Sequence, residues 1–283
     1  MNQERNAFAR PLSARSLIAS TLLGCHPPRL PVRALIHMGQ LYGIAEGAIR
    51  VALSRMVAAG ELEPGGDGAY GLTARLAGRQ VRQEEGWHPL LHEWDGTWRM
   101  AVVVAAGRSA SARAELRAAA TELRLVELRE GIWLRPDNLD PERLPSARRV
   151  LDAQCRWFAA RPGFDGKEDR RLAVELWDLT GWAEDAIELR REMGRLVGRL
   201  EEGDDAVLAR SGLVSAAVLR HFVHDPLLPP DLLPARWPGE TLRREYDRFE
   251  RALRRLLRDW EKRHRRDERS ASRFRAAGAE RPP

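Results

Sequence analysis

The residues best placed to do chemistry lie in "GIAEGAIRVALSRMVAAGEL", residues 43 to 62. Ile49, Leu53, Met56 and Val57 follow the spacing of a buried helical stripe, so a helix is predicted from about Ala45 to Ala59, closed by Gly60. With that stripe inside, Glu46, Gly47, Arg50 and Ser54 face outward and Arg55 sits at their edge. A guanidinium fork can donate two bonds to the acceptor edge of a guanine, and a hydroxyl one to a base or phosphate. Gly47 and Ala45 keep such a helix thin enough for a major groove. The plainer reading of the same residues is an ion pair from Glu46 to Arg50, worth a few tenths of a kcal/mol.

Other constellations offer less. "HFVHD" brings His221, His224 and Asp225 together, and His88 lies four residues before His92, but neither group has an evident third ligand. Cys25 and Cys155 are far apart and form no CxxC pair. There is no P-loop, no GxGxxG and no serine or cysteine nucleophile motif. No catalytic residue, metal site or cofactor is assigned, and the chain is read as not an enzyme.

Three helical patterns and a hairpin position the candidate helix. "LSARSLIASTLLG" offers Ser13 as a cap, an apolar stripe of Leu17, Ile18 and Leu22, and Gly24 as a stop. "CHPPRL" reads as a turn, and Pro31 suits the first position of a second helix, "PVRALIHMGQLYG". After the third helix, "ELEP" and "AYGLT" flank "GGDG", which predicts a two-stranded hairpin. Helix, helix, helix, hairpin is a winged helix-turn-helix pattern. Arg15, Arg29 and Arg33 are candidates for neutralising phosphates on either side of the reading helix.

Charge agrees with that division. Residues 1–82 hold 10 basic and 5 acidic residues, residues 251–283 hold 12 and 5, and the stretch between holds 25 and 31. Basic ends around an acidic middle suit a nucleic-acid-binding head joined to a body with another task. No run approaches eighteen uncharged apolar residues, and the N-terminus lacks the apolar block of a secretory signal, so a cytoplasmic protein without a membrane span is expected.

Further along, residues 81–93 read as a linker helix. "TWRMAVVVAA", "SASARAELRAAATELR" and "LVELREGIWLRP" give strand, helix, strand, strand, with Ser109 or Ser111 as the helix cap. From about Pro145 the pattern is mostly helical, broken at "RPGFDG" and "DPLLPPDLLPARWPG". Leu242, Tyr246, Phe249, Leu253, Leu256 and Trp260 form a heptad-like stripe that suits either a dimer seam or packing on its own domain. The fold class expected is α+β, mostly helical. It comprises a winged helix-turn-helix domain (1–80), the linker helix (81–93), a ferredoxin-like α+β subdomain (94–144), a helical effector and dimerisation domain (145–262) and a basic disordered tail (263–283).

"GIAEGAIRVALSRMVAAGEL" with "YGLT", then "WDGTWRMAVV", "LRAAATELRLVELREGIWLRP" and "HFVHDPLLPPDLLPARWPG", resemble in order the signatures of the PaaX family, bacterial repressors of phenylacetate catabolism. The resemblance spans about residues 12 to 260. It implies a homodimeric repressor on an inverted-repeat operator in double-stranded DNA, released by a small-molecule effector such as an aryl- or acyl-CoA. It also implies that the third helix reads DNA through Glu46, Gly47, Arg50, Ser54 and Arg55, and that the central domain is similar to a small nuclease of CRISPR spacer acquisition. Two stretches depart from the family: "GCHPPR" replaces an acidic and aromatic turn, and "EPGGDGAY" has neither lysine nor arginine where a basic wing is usual.

For the effector, Trp157, Phe158, Trp177 and Trp182, read as helical, are candidates to stack an aromatic acyl group, with Arg156 and Arg161 for phosphates. The rival readings are a metal-dependent nuclease and a scaffold that no longer contacts DNA. Against the nuclease, the first central strand ends "VVVAAGRS" with no carboxylate at its exit.

Overall fold

In the computed structural model, which describes residues 13–25, 27–140, 142–161 and 166–279, the first helix starts at its expected cap. The Ser13 hydroxyl accepts from the Ser16 amide at 3.1 Å and opens α1 (Ala14–Leu23), which Gly24 ends. The next residues are not only a turn. Arg29–Pro31 forms a short strand, β1, because a partner far along the chain satisfies it: Leu30 lies opposite Tyr70 and Arg29 opposite Gly71. Pro31 therefore ends β1 and stands just outside α2 (Val32–Leu41).

Gly43 takes a φ of +68°, the left-handed conformation that lets the chain turn sharply into α3 (Glu46–Ala58). Gly39 allows close approach of α2 and α3, since a β-carbon there would lie 2.8 Å from Cγ1 of Ile49. β2 (Leu62–Pro64) and β3 (Ala69–Leu72) complete a three-stranded sheet in the order β1-β3-β2. Leu17, Ile18, Leu22, Leu35, Ile49 and Leu53 are among the residues of one buried core under these elements. The long α4 (Ala74–Trp87) follows.

The central elements run β4 (Trp98–Val103), α5 (Ala110–Glu122), β5 (Val126–Arg129), β6 (Ile132–Pro136), α6 (Pro145–Asp152) and β7 (Cys155–Ala160). Ser109 is the cap of α5. The sheet order is β5-β6-β4-β7, all antiparallel, which completes a βαββαβ ferredoxin-like fold. This corrects two expectations: the fold does not stop at residue 144, and Trp157 and Phe158 lie on a strand rather than a helix. The strand was hidden because it is apolar on both faces, with Phe158 51% exposed. One face of the sheet carries Ala101, Trp133 and Cys155 against α5 and α6. The other carries Trp98 and Leu134 against Ala173 of α7 (Gly166–Leu176) and Leu228 and Leu232 of the proline-rich segment.

The remaining helices are α8 (Leu179–Glu201), α9 (Leu208–Val223) and α10 (Gly239–Ala279). Between α9 and α10 the prolines permit only one short 3-10 turn, Pro230–Leu232. The chain divides into two compact units. The first comprises residues 1–83, 187–220 and 241–283, and the second 84–186 and 221–240. The C-terminal helical part therefore begins after β7 rather than at residue 145, and much of α8, α9 and α10 falls in the same compact unit as the winged helix.

All six residues of the heptad-like stripe are buried within the chain, and Leu257 packs on the winged-helix core. That stripe is an intramolecular seam. Among the described residues one segment, Asp205–Val223, has the length and hydropathy of a membrane span, but it carries Arg210 and Arg220 and buries Val214, Val218 and Phe222. α10 continues through residues 263–279, where a disordered tail was expected. That stretch lacks a recognisable period yet is rich in arginine and alanine and has no proline, so nothing in it breaks a helix.

Candidate nucleic-acid interface

α3 sorts its residues cleanly. Ile49, Leu53 and Met56 are at most 1% exposed, whereas Glu46, Gly47, Arg50, Ser54 and Arg55 are all exposed. A β-carbon added at Gly47 would meet nothing within 4 Å. Arg50 donates from Nε to Oε1 of Glu46 at 2.8 Å, so the i,i+4 ion pair foreseen as the plainer reading does form. Both side chains are about half exposed, 57% and 51%, and so the pair is screened by water and contributes little.

Val51, absent from the candidates above, also faces outward. It is 50% exposed and lies four residues after Gly47, on the same outward ridge as Ser54 and Ala58. The signal was available, because a residue opposite Ile49 and Leu53 on the helix must face out.

The three flanking arginines differ in their surroundings. Arg33 is exposed on α2. Arg15 is held by Glu61, donating from Nε at 3.0 Å and from Nη2 to the other carboxylate oxygen. That hydrogen bond, followed by the carboxylate's charge, raises the Arg15 pKa. Arg29 stands on β1 with its guanidinium laid over the wing, where a β-carbon at Gly65 would collide with it and one at Gly71 would come within 3.6 Å. A wing that carries no cation of its own thus has one supplied by the neighbouring strand.

α9 supports this assembly from behind. The ring of Tyr42, at the turn between α2 and α3, approaches Gly212 so closely that a β-carbon there would collide with the hydroxyl. Burial pushes the Tyr42 hydroxyl pKa up to about 12.

The six residues expected at an effector site, all in the second unit, do not converge. Trp177 packs with Trp98 in the core, and Trp182 is stacked between His221 and Trp237. Arg156 and Phe158 are exposed on β7, and Arg161 pairs with Asp95 at 3.1 Å. Trp157 projects from the opposite face to Phe158 and lines a cavity.

Comparison with known proteins matches three successive stretches of the chain. The description "PaaX-like protein" matches residues 13–76, "PaaX protein central Cas2-like domain" residues 91–173, and "PaaX-like protein C-terminal domain" residues 177–256. The chain belongs to the PaaX family. A solved structure, "Uncharacterized protein Rv0674 from Mycobacterium tuberculosis", is 40% identical with a TM-score of 0.62, covering 86% of this chain and 97% of its own. No curated protein matches. Membership of the PaaX family points to a transcriptional regulator rather than an enzyme.

In this PaaX-family chain the remaining chemical candidates have structural work. Asp225 accepts the Leu227 amide at 2.8 Å, and His221 stacks on Trp182. His88 stacks on Trp87, and Nδ1 of His92 lies 3.1 Å from the Glu93 carbonyl. Among the described residues, no three His, Cys, Asp or Glu side chains are grouped to hold a metal ion.

Proposed function

We propose that this protein is a cytoplasmic, homodimeric transcriptional repressor that binds an inverted-repeat operator through α3. The observation that carries the reading is the sorting of α3, with an apolar side buried to 1% or less and a polar side left open. In the groove Arg50 would leave Glu46 for a guanine, Ser54 would reach a base or phosphate, and Val51 would meet a thymine methyl group. Arg29 and Arg33 would hold the flanking phosphates, with Arg15 contributing from its pair with Glu61. Two copies would read half-sites about one helical turn apart, roughly 34 Å.

The regulated genes would be an aromatic-acid or related catabolic operon, with an acyl-CoA-like effector as the releasing signal. An effector that prefers the DNA-incompetent arrangement lowers operator affinity by the ratio of its two affinities. A ten- to hundredfold release needs about 1.4 to 2.8 kcal/mol of coupling. Selection of bound duplexes from a random pool, read by sequencing, tests the proposal. It expects an enriched palindrome; a pool that remains random in sequence would contradict operator recognition.

A further inference from the structure

Although the second unit is acidic overall, arginines concentrate at one place in it. Arg99, Arg135, Arg143 and Arg148 line a small cavity whose other walls are Asp137, Trp157 and three leucines. Arg99 and Arg135 are register partners across β4 and β6, so the sheet itself places two guanidiniums side by side.

The carboxylates nearby do not suffice. Arg99 donates to both oxygens of Asp137 at 2.7 and 2.9 Å. Arg148 donates to Asp152 at 2.8 Å, lies 3.8 Å from Glu142, and covers the Trp157 ring at 4.3 Å. Arg143 must share the carboxylate of Glu85 with Arg124.

Arg135 has no carboxylate partner among the described residues. It is 3% exposed and bonds only neutral acceptors: the Pro136 carbonyl at 3.0 Å, Asn138 Oδ1 at 2.8 Å and the Leu227 carbonyl at 3.1 Å. Its Nη1 is buried without a hydrogen-bond partner among the described residues. Burial, then the charges of Arg143 and Arg124, push its pKa well down, against a smaller opposing pull from Glu85 and Asp137. A guanidinium nonetheless keeps its proton in a protein. The charge therefore remains, and a buried charge that no carboxylate bonds directly is costly.

We propose that this cavity is an oxyanion site, which binds the phosphate or carboxylate end of a ligand between Arg99, Arg135 and Arg148 beside Trp157. The space is about 10 Å³, roughly that of one water. It therefore takes oxygen atoms of a charged terminus and not an aromatic acyl group, and the rest of the ligand stays outside the cavity. Binding needs none of the α3 contacts; only its regulatory consequence rests on the ligand-responsive reading above.

The test is calorimetric titration of the full chain with inorganic phosphate, pyrophosphate and benzoate, at constant ionic strength in chloride and without DNA. Saturable binding of the phosphates identifies a phosphoryl ligand, and of benzoate alone a carboxylate; either supports the site. Arg148→Ala and Arg99→Ala should weaken binding at least about tenfold, or about 1.4 kcal/mol. Arg117→Ala, exposed on α5 and not lining the cavity, should leave it unchanged. The rim variants are chosen because Arg135→Met alters buried packing. No saturable binding of any of the three anions, or equal weakening by Arg117→Ala, overturns the site. Loss of operator binding with anion binding intact would instead remove the DNA reading and leave this one standing.

Discussion

The arginines of α3 and those of the central sheet show two uses of one side chain. Arg50 and Arg55 stand in water, where pairing with Glu46 contributes little and is readily exchanged for another acceptor. Arg124, Arg135 and Arg143 lie where water is largely excluded, and each must find its acceptors in the protein. An exposed pair can be broken by a ligand at small cost, whereas a buried cluster is held in place and selects what may enter. The first suits reading a duplex; the second suits a fixed anion receptor or a structural tie.

Removing the buried carboxylate should break that contrast most severely. Glu85→Ala leaves Arg124 and Arg143 without their shared partner, and an expected loss of about 3–5 kcal/mol would appear in urea unfolding. A loss comparable to that of a surface pair would mean that the cluster is solvated after all.

Next comes the contact between Tyr42, at the start of the turn into α3, and α9. Alanine in place of a mid-helix glycine ordinarily stabilises by about 0.5–1 kcal/mol. Gly212→Ala should instead cost about 1–3 kcal/mol, because the new methyl meets Tyr42. Combining it with Tyr42→Phe, which removes the hydroxyl, should recover part of the loss in thermal melts. An additive pair of effects would show that Tyr42 and Gly212 do not touch.

The same tyrosine predicts a pH effect. Below pH about 10 the hydroxyl is protonated in both states. Above that the unfolded chain ionises first, so stability falls as pH rises until the folded value, about 12, is reached. Burial raises Tyr246 in the same direction, with the Glu250 charge adding to it. Tyr42→Phe should flatten the decline in alkaline urea titrations without abolishing it, and an unchanged curve would contradict the burial. The smallest effect belongs to the exposed pair: Glu46→Gln should change stability by only about 0.2–0.5 kcal/mol, while operator affinity rises because Arg50 no longer has to leave a carboxylate.

The sequence disclosed what depends on local period and concealed what depends on distant partners. The buried stripe of α3 was legible from Ile49, Leu53 and Met56 alone, as was the stripe of α10. Whether the second faced another copy or its own unit was not, since both require the same apolar spacing. β1 could not be read because only pairing with β3 makes Arg29–Pro31 a strand. β7 was missed because Trp157 and Phe158 put apolar rings on both faces. The arginine cluster was least visible: Arg135 in "IWLRP" reads as a solvent-facing strand residue, and the Leu227 carbonyl that accepts from it lies far along the chain.

Titrating Arg50→Ala against the selected operator and its single-base variants tests the central claim most directly. The expected result is a loss of about 1–3 kcal/mol on the operator and relaxed preference at one position in each half-site, with folding stability changed by less than about 0.5 kcal/mol. Affinity that falls equally on every sequence would make Arg50 a phosphate contact, and affinity that does not fall at all would contradict the assignment of α3 as the reading helix.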